Sequence, residues 1–294
     1  MAFDLLVVGD CNPDLLLVGT DVVPEFGQRE KLVETAQLVV GGSAAIAACG
    51  AARLGLDTAF VGAVGRDLLG TFMLDALADR GVDVSGCGAD PERPTGITVA
   101  LVRGADRAIL TAPGAIPLLT AAAVDRDLLR ASLHLHVASF HLLDGLRPGL
   151  EGLVAEARAA GLSVSLDPQG DPGGGDTARL SRLAAQVDVL FVNEEEDAAL
   201  DSAGCPLVVV KRGARGALAR TPQGTVEAAA PRVATVDATG AGDSFDAGFL
   251  AARLAGEGLA GALSLACACG ALSTRALGGT AAQPTMAEAR EALP

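Results

Sequence analysis

Short runs of consecutive apolar residues recur along the chain and alternate with segments whose apolar positions repeat with helical spacing. The apolar runs are 4–9, 58–62, 133–138, 162–167, 187–192 and 206–210, and the helical segments are 43–54, 67–80, 146–160, 177–185, 244–255 and 258–274. Strands that are apolar at every position are buried on both faces, and intervening helices favour parallel pairing. The pattern therefore predicts an α/β protein whose mainly parallel sheet is covered by helices on both sides.

Two segments depart from this pattern. Residues 12–40 and 94–112 alternate apolar and polar positions, as in "TGITVALVRG" at 95–104. Alternation of this kind is typical of strands that are buried on one face only. We expect a single domain spanning 1–294, in which these two segments form a small second sheet that acts as a lid over a ligand cleft.

Composition and charge limit the classes of partner. Half of the 294 residues are hydrophobic, and the formal net charge is −14. A compact protein with a large core is expected, and the acidic balance argues against nucleic acid or an anionic membrane as a partner. A phosphate-bearing ligand stays open, because backbone amides and a metal ion can hold it without basic side chains.

The six cysteines are scattered and lack the spacing of a metal site, and the N-terminus lacks a basic region followed by an apolar one. Free thiols and a cytoplasmic location are therefore expected.

The stretch "DATGAGDSF" at 237–245 carries the candidate chemistry. Gly240, Ala241 and Gly242 have little or no side chain, so their amides can close around an anion at the start of a helix. Asp243 is then either the N-cap of that helix or a general base beside the anion. The flanking glycines favour the base, because a cap does not require them. A lysine in the Walker position and a GxGxxG fingerprint are both absent.

Together with three other stretches, this one resembles the ribokinase-like, PfkB-type carbohydrate kinases. The others are "GGSAAIAACGAARLGLDTAFVGAVGRDLLG" at 41–70, "FVNEEEDA" at 191–198 and "VVVKRGARGAL" at 208–218, and all four follow the order of the family. The resemblance implies a three-layer α/β sandwich with a small β-sheet lid. It also implies an enzyme that uses ATP and Mg²⁺ to phosphorylate a hydroxyl group of a sugar or sugar-like molecule.

The resemblance assigns roles to particular residues. The resemblance implies that Asp243 is the base and that the amides of Gly240, Ala241 and Gly242 hold the γ-phosphate. It places the substrate against Asp14, Gly41, Gly42 and Ser43, the nucleotide against Lys211, Gly213, Gly216 and Thr239, and Mg²⁺, through water, near Asn193 and Glu196. In some relatives the region of Asp237 also binds a monovalent cation such as K⁺. Simpler interpretations exist: Asp14 as a turn residue, Gly41 and Gly42 as a plain turn, and Glu196 as part of a solvated helix start.

Departures from the family pattern leave the substrate open. Ile46 stands where relatives usually have Asn, and Gln169 where many have Asn. A nucleoside kinase of the same fold and, in another class, a non-catalytic nucleotide- or sugar-sensing protein remain alternatives. Relatives often dimerise through the lid, so a homodimer is an expectation. The three histidines, His134, His136 and His141, have no assigned role: a zinc site lacks nearby carboxylate or cysteine ligands, and core or cleft polar groups are more usual.

Overall fold

The structure is a computed structural model that describes residues 3–104, 106–170 and 176–293. The strands are β1 (Phe3–Val8), β2 (Asn12–Val18), β3 (Thr35–Gly41), β4 (Thr58–Val61), β5 (Ala63–Gly65), β6 (Val82–Asp83), β7 (Gly88–Asp90), β8 (Ile97–Arg103), β9 (Asp106–Ala112), β10 (Ser132–Ala138), β11 (Ser163–Asp167), β12 (Val189–Asn193), β13 (Val208–Lys211), β14 (Ala217–Thr221) and β15 (Gly224–Ala228). The helices are α1 (Ser43–Arg53), α2 (Leu68–Ala78), α3 (Arg126–Arg130), α4 (Arg147–Ala159), α5 (Thr177–Ala184), α6 (Glu194–Ala199), α7 (Ala241–Leu254), α8 (Leu259–Ser273) and α9 (Met286–Glu291).

The main sheet confirms the predicted α/β class. Its order across the described residues is β15-β14-β13-β12-β11-β10-β1-β4-β6. From β13 to β6 every neighbouring pair is parallel, and only β14 and β15 are antiparallel. The carboxyl ends of β1, β10, β11, β12 and β13 therefore meet at one edge of the sheet, which is where ligands bind in open α/β folds.

Side chains on the two faces of the sheet pack into two separate cores. In β1, Leu5 and Val7 pack with α1, α2, α7 and α8, whereas Leu6 and Val8 pack with α3, α4 and α5. The alternation follows from the two-residue period of a strand, since neighbouring side chains point to opposite faces. The apolar runs are thus buried on both sides, and the protein is the expected three-layer sandwich.

A separate small sheet has the order β3-β2-β8-β9 and coincides with the two alternating segments, 12–40 and 94–112. One of its faces is buried at Leu16, Ala100 and Val102, and the edge strand β9 is exposed along its length. The prediction of a second, half-exposed sheet is confirmed. Its action as a lid stays a prediction.

Several elements were not predicted. The β14–β15 hairpin closes through a two-residue turn at 222–223. Its strands have neither a continuous apolar run nor a clear alternation of apolar and polar residues, so their sequence does not indicate a strand. The helices α6 and α9 are short, and each begins with a capping box, Asn193 with Glu196 and Thr285 with Glu288. That spacing is a helix-start signal in its own right and could have located both.

The start of α7 differs from the predicted one. The helix begins at Ala241 rather than at 244, and its N-cap is Gly240, whose φ of 71° lies in the left-handed region. Asp243 is therefore the third residue of the helix, and the simpler reading of Asp243 as its N-cap is wrong. A glycine adopts this conformation without the steric strain that a side chain would cause, so Gly240 can turn the chain sharply into the helix.

All six cysteines are free thiols. Within the described ranges no helix combines the length and the apolar character that crossing a bilayer requires.

The packing of α7 on the sheet predicts a large loss of stability when Phe249 is truncated. Phe249 is fully buried and makes an edge-to-face contact with Phe191 of β12, with ring centroids 5.4 Å apart. Phe249→Ala should lower the free energy of unfolding by about 3–5 kcal/mol, measured by urea denaturation. Leu68→Ala, at a side chain that is 83% exposed, should change it by no more than about 0.5 kcal/mol. Equal effects of the two changes would contradict this account of the core.

Candidate active site

A cleft of about 1020 Å³ opens at the carboxyl ends of the parallel strands and runs beneath the small sheet. Most of the residues predicted for the site line this cleft: Asp14, Gly42, Ser43, Asn193, Glu196, Lys211, Gly213, Thr239, Gly240, Gly242 and Asp243. Residues more than 200 positions apart in the sequence are thus brought to one cavity. Gly41, Gly216 and Ala241 do not line the cleft.

The amides at the start of α7 form a ready site for an anion. The first-turn amides of Gly242 and Asp243 have no hydrogen-bond acceptor among the described residues, as expected where a glycine N-cap supplies no side chain. The amide of Ala241 instead donates to the carbonyl oxygen of Ala238 at 3.3 Å. Unpaired amides and the positive end of the helix dipole favour a negative group at this point.

The carboxyl group of Asp243 is buried beside these amides. Its Oδ1 accepts a hydrogen bond from Gln169 Nε2 at 2.9 Å. Gln169 has a φ of 60°, a left-handed conformation that is uncommon for a residue other than glycine. Burial, reinforced by the negative charge of Asp167, raises the pKa of Asp243 to about 8. A carboxylate with that basicity is suited to take a proton near neutral pH.

A buried cluster of charges supports this position. The Lys211 ammonium group, at the end of β13, donates to Asp167 Oδ2 and lies 3.4 Å from Asp246 Oδ1, one turn of α7 beyond Asp243. Burial opposes the charge on Lys211, but the carboxylates of Asp167 and Asp246 raise its pKa above its ordinary value. Burial raises the pKa of Asp246. At Asp167 burial acts in the same direction, but the charge of Lys211 and the hydrogen bonds with Asp246 and Lys211 together hold the pKa of that carboxyl below its usual range. Lys211 is therefore charged.

The other wall of the cleft carries Asp14 on β2. Asn12 Nδ2 lies 3.5 Å from Asp14 Oδ1 and donates to Thr98 Oγ1 at 3.1 Å. A Cβ at Gly41 would lie 2.0 Å from Asp14 Oδ1, so this glycine makes room for the carboxylate. Burial, followed by the charge of Asp10, raises the pKa of Asp14 to about 7. The pair of Asn12 and Asp14 offers donors and acceptors suited to hydroxyl groups.

The start of α1 forms the floor between these walls. Its N-cap, Gly42, has a φ of 78° and provides no side-chain cap. Asp10 supplies the cap instead, accepting from Ser43 N at 3.1 Å and from Ala44 N at 2.9 Å. The backbone at Gly42 and Ser43 is thereby held at the surface of the cleft, where a ligand can approach it closely.

Asn193 and Glu196 line the cleft as a capping box. Asn193 Oδ1 accepts from the amide of Glu196 at 2.9 Å, and Glu196 Oε2 accepts from the amide of Asn193 at 2.8 Å. The two side chains thus have the structural role of starting α6, and Oε1 of Glu196 has no hydrogen bond to the part of the chain that the structure describes. Carboxylate and amide oxygens are ligands that suit Mg²⁺, which keeps several waters when the protein supplies few direct ligands. The Glu196 carboxylate therefore fits a hydrated Mg²⁺ ion. Asn193 Oδ1 already accepts from the amides of Glu195 and Glu196, so Asn193 positions Glu196.

Of the other residues predicted for nucleotide binding, two line the cleft and one, Gly216, lies outside it. Gly213 and Thr239 lie at its surface, whereas a Cβ at Gly216 would meet the carbonyl oxygen of Ala228 at 2.0 Å. Gly216 is thus required by the packing of the β14–β15 hairpin.

Ile46 packs against the turn at the start of α7. A Cβ at Gly240 would lie 2.9 Å from Ile46 Cγ2, and one at Gly279 would lie 2.5 Å from Ile46 Cδ1. The isoleucine thus supports the anion site through apolar contact, and it brings an apolar surface to the cleft where a hydrogen-bonding side chain was expected from the family.

Two of the histidines are core residues. His134 bonds to Ser163 Oγ at 2.6 Å and to Ser165 Oγ at 2.7 Å, and His136 bonds to Ser165 Oγ at 2.8 Å. Burial lowers the pKa of His134 to about 3 and that of His136 to about 4, so both are neutral. His141 lines the cleft, as does Ser139.

Sequence reasoning missed several residues of the site: Asp10, Asn12, Arg107, Asp167 and Asp246 all line it or contact residues that do. Asp167 ends β11 and Asp10 lies two residues after the end of β1, positions that could have indicated both. Asp246 lies three residues after Asp243, on the same side of the helix.

Comparison with known proteins places the chain in a family. A model of the pfkB family carbohydrate kinases matches residues 2–286. The ATP-dependent ribose-1-phosphate kinase of Halopiger xanaduensis is 33% identical over 280 residues, which cover 92% of this chain and 91% of the relative.

Solved structures share the fold. A ribokinase from Arabidopsis thaliana, complexed with ribose and ATP, has a TM-score of 0.85 at 24% identity and covers 99% of this chain and 98% of its own. A fructokinase from Vibrio cholerae O395, with fructose, ADP and calcium bound, has a TM-score of 0.83 at 27% identity and covers 100% of this chain and 99% of its own. The fold is therefore ribokinase-like, as the sequence predicted, and the chain belongs to the PfkB family of carbohydrate kinases.

Proposed function

We propose that the protein transfers the γ-phosphoryl group of ATP to a hydroxyl group of a sugar-like molecule, with Asp243 as the general base. One observation carries the proposal: Asp243 and Gly242, whose amides have no acceptor among the described residues, line one cleft with Asp14 on the wall formed by the small sheet. A base and an anion site in the same turn are what a phosphoryl transfer requires.

The acceptor binds between Asp14 and α7. Its hydroxyl groups bond to the Asp14 carboxylate and to Asn12, and its ring lies over the backbone at Gly42 and Ser43, where no long side chain intervenes. The hydroxyl to be phosphorylated then points to Asp243, whose orientation Gln169 fixes. Holding the two reacting groups in contact removes most of the entropic cost of the encounter.

The transfer step places each charge opposite a fixed group. Asp243 takes the proton of the attacking hydroxyl, the acceptor oxygen forms a bond to the γ-phosphorus, and the bond from that phosphorus to the bridging oxygen breaks to release ADP. The amides of Gly242 and Asp243 stabilise the negative charge on the transferring group. Lys211 adds a positive charge beside this turn, since a Cβ at Gly242 would lie only 3.3 Å from Lys211 Nζ.

Glu196, oriented by Asn193, would hold Mg²⁺ through its waters, and the bound ion would neutralise the charge of the phosphates. Gly213 and Thr239 border the phosphate chain of the nucleotide. A K⁺ ion beside the loop that contains Asp237 and a cytoplasmic location are parts of the same proposal, the second supported by the six free thiols.

We propose a monosaccharide or its phosphate as the acceptor. The ribose-1-phosphate kinase and the fructokinase among the similar proteins act, by their names, on such molecules. The apolar contact that Ile46 brings to the acceptor site offers no hydrogen bond to a hydroxyl group, so it favours an acceptor with a CH-rich face at that point.

The outer face of the small sheet fits a second copy of the chain. Leu38, Leu15, Val99 and Leu110 are paired in register and form one apolar row across all four strands. Leu38 is 40% exposed and Leu110 is 63% exposed, and among the described strands β9 pairs on one side only. An apolar row on an exposed sheet with an open edge is an interface that can complement itself through a two-fold axis.

Formation of ADP in the presence of ATP and Mg²⁺ tests the proposed reaction. Ribose, ribose 1-phosphate, fructose, 2-keto-3-deoxygluconate and adenosine are offered in turn, and we expect turnover with a monosaccharide or its phosphate. Asp243→Asn should lower kcat for that acceptor by roughly 10²–10⁴, a typical loss for a general base. Asp75→Asn, an exposed aspartate on α2, is the matched control and should leave kcat unchanged. Turnover with adenosine alone would indicate a nucleoside kinase, and ATP binding without turnover on any acceptor would indicate a sensing protein.

The ionisation of Asp243 predicts a stability that depends on pH. Its pKa is about 8 in the folded protein and 3.8 for an ordinary aspartate, so the folded state retains a proton that the unfolded state has lost between these values. The contribution of this group to stability therefore falls as pH rises through that interval. Asp243→Asn removes the dependence, so the variant should gain in Tm over the wild type as pH rises towards 8. The Tm difference for Asp75→Asn should stay constant, and a constant difference for Asp243→Asn as well would contradict the assignment.

Sedimentation velocity tests the proposed interface. The wild type should sediment as a dimer and Leu110→Asp as a monomer, because a carboxylate in the apolar row loses its water on association. Leu68→Asp places the same charge on a side chain that is 83% exposed on α2 and should remain dimeric. A monomeric wild type, or a dimeric Leu110→Asp, would exclude this interface.

A further inference from the structure

Arg107 joins the small sheet to the loop that leads into α7. It belongs to β9, the exposed edge strand, and its side chain lies in the cleft. Nη1 of Arg107 donates to Thr239 Oγ1 and lies 3.6 Å from Asp237 Oδ1. The contact spans 132 positions of sequence and directly links the small sheet with the turn that ends at Gly240.

Asp237 connects the Arg107 contact to the backbone around the anion site. Its Oδ1 accepts from Thr239 N at 2.9 Å and from Thr239 Oγ1 at 2.7 Å, and its Oδ2 accepts from Gly278 N at 2.8 Å. The carboxylate is buried, and it holds the turn before Gly240 against the 274–279 segment. A guanidinium group that donates to Thr239 and forms an ion pair with Asp237 therefore supports the turn that leads to the amides of α7.

Arg107 also acts on Asp14, which lies on the same small sheet. Burial and the charge of Asp10 raise the pKa of Asp14, and the positive charge of Arg107 opposes that rise. The charged and titratable groups that face this part of the cleft are Asp10, Asp14, Asp237, Asp243 and Arg107. The groups around Arg107 are carboxylates of this protein, so its positive charge is balanced without a bound ligand.

We propose that Arg107 is a positioning residue that couples the small sheet to the anion site, so that the turn before Gly240 is held in place when the sheet covers the cleft. The inference rests on the proposed function. It follows from the geometry that the contact requires β9 to lie over the loop. The amides that bind the γ-phosphoryl group during transfer are then best ordered when the small sheet covers the cleft and excludes water. This order favours transfer to a bound acceptor over hydrolysis of ATP.

Steady-state kinetics of Arg107→Met, Arg107→Lys and the control Arg103→Met test the coupling. Arg103 lies at the end of the neighbouring strand β8, with a side chain that is 55% exposed and 3.8 Å from Asp106. ADP formation is measured with saturating acceptor and with no acceptor. For Arg107→Met we expect kcat with acceptor to fall by about 10- to 100-fold, the range for loss of a charge-assisted hydrogen bond, and by a larger factor than the rate without acceptor. Arg107→Lys should recover part of kcat, because its ammonium group can reach one of the two partners, and Arg103→Met should match the wild type.

Three results would overturn the proposal. An equal loss with and without acceptor would show general damage to the site. A rise in KM for the acceptor with unchanged kcat, strongest for ribose 1-phosphate, would make Arg107 a ligand of the acceptor. Wild-type kinetics of Arg107→Met would leave it without a role. These outcomes differ from failure of the proposed function, in which the wild type itself would show no acceptor-dependent ADP formation.

Discussion

The ion cluster formed by Lys211 with Asp167 and Asp246 is the contact on which the site depends. A buried ammonium group is tolerated only with partners, and here they come from β11 and from α7. The cluster therefore ties the strand ends to the first turns of α7, and so fixes where the free amides of that helix point. Lys211 also lies beside Gly242, where a Cβ would be 3.3 Å from Lys211 Nζ. One interaction thus sets the position of the anion site and its charge.

The same cluster determines the chemistry of the base. Asp167 keeps its negative charge because of Lys211, and that charge adds to burial in making Asp243 more basic than an ordinary aspartate. Gln169 then fixes the carboxyl group by one hydrogen bond. Burial and the nearby negative charge thus destabilise the ionised form of Asp243, and such raised pKa values are often found at active sites. The small sheet completes the site from the other side, with Asp14 facing the acceptor and Arg107 reaching the loop before Gly240.

Much of this arrangement was predictable from the sequence, and the remainder has physical reasons for being hidden. Uninterrupted apolar runs indicated the parallel sheet, alternation indicated the small one, and "DATGAGDSF" indicated the anion site, because these depend on local pattern. The start of α7 was placed three residues late, since a glycine N-cap leaves no side-chain signal. The ion cluster and the contact of Arg107 with Thr239 join residues far apart in sequence, so no spacing reveals them. Asn193 and Glu196 matched both a helix start and a metal site, and the structure shows that the first of these is present.

The pH dependence of kcat/KM for the acceptor, at saturating ATP and Mg²⁺, tests most directly whether a buried and unusually basic Asp243 takes the proton. Asp14→Asn is measured in parallel, because Asp14 has a pKa of about 7. The account predicts that kcat/KM rises with pH to a plateau, with a midpoint of about 8 that persists in Asp14→Asn. A profile that is flat between about pH 6 and pH 9, or a midpoint that disappears with Asp14, would contradict it.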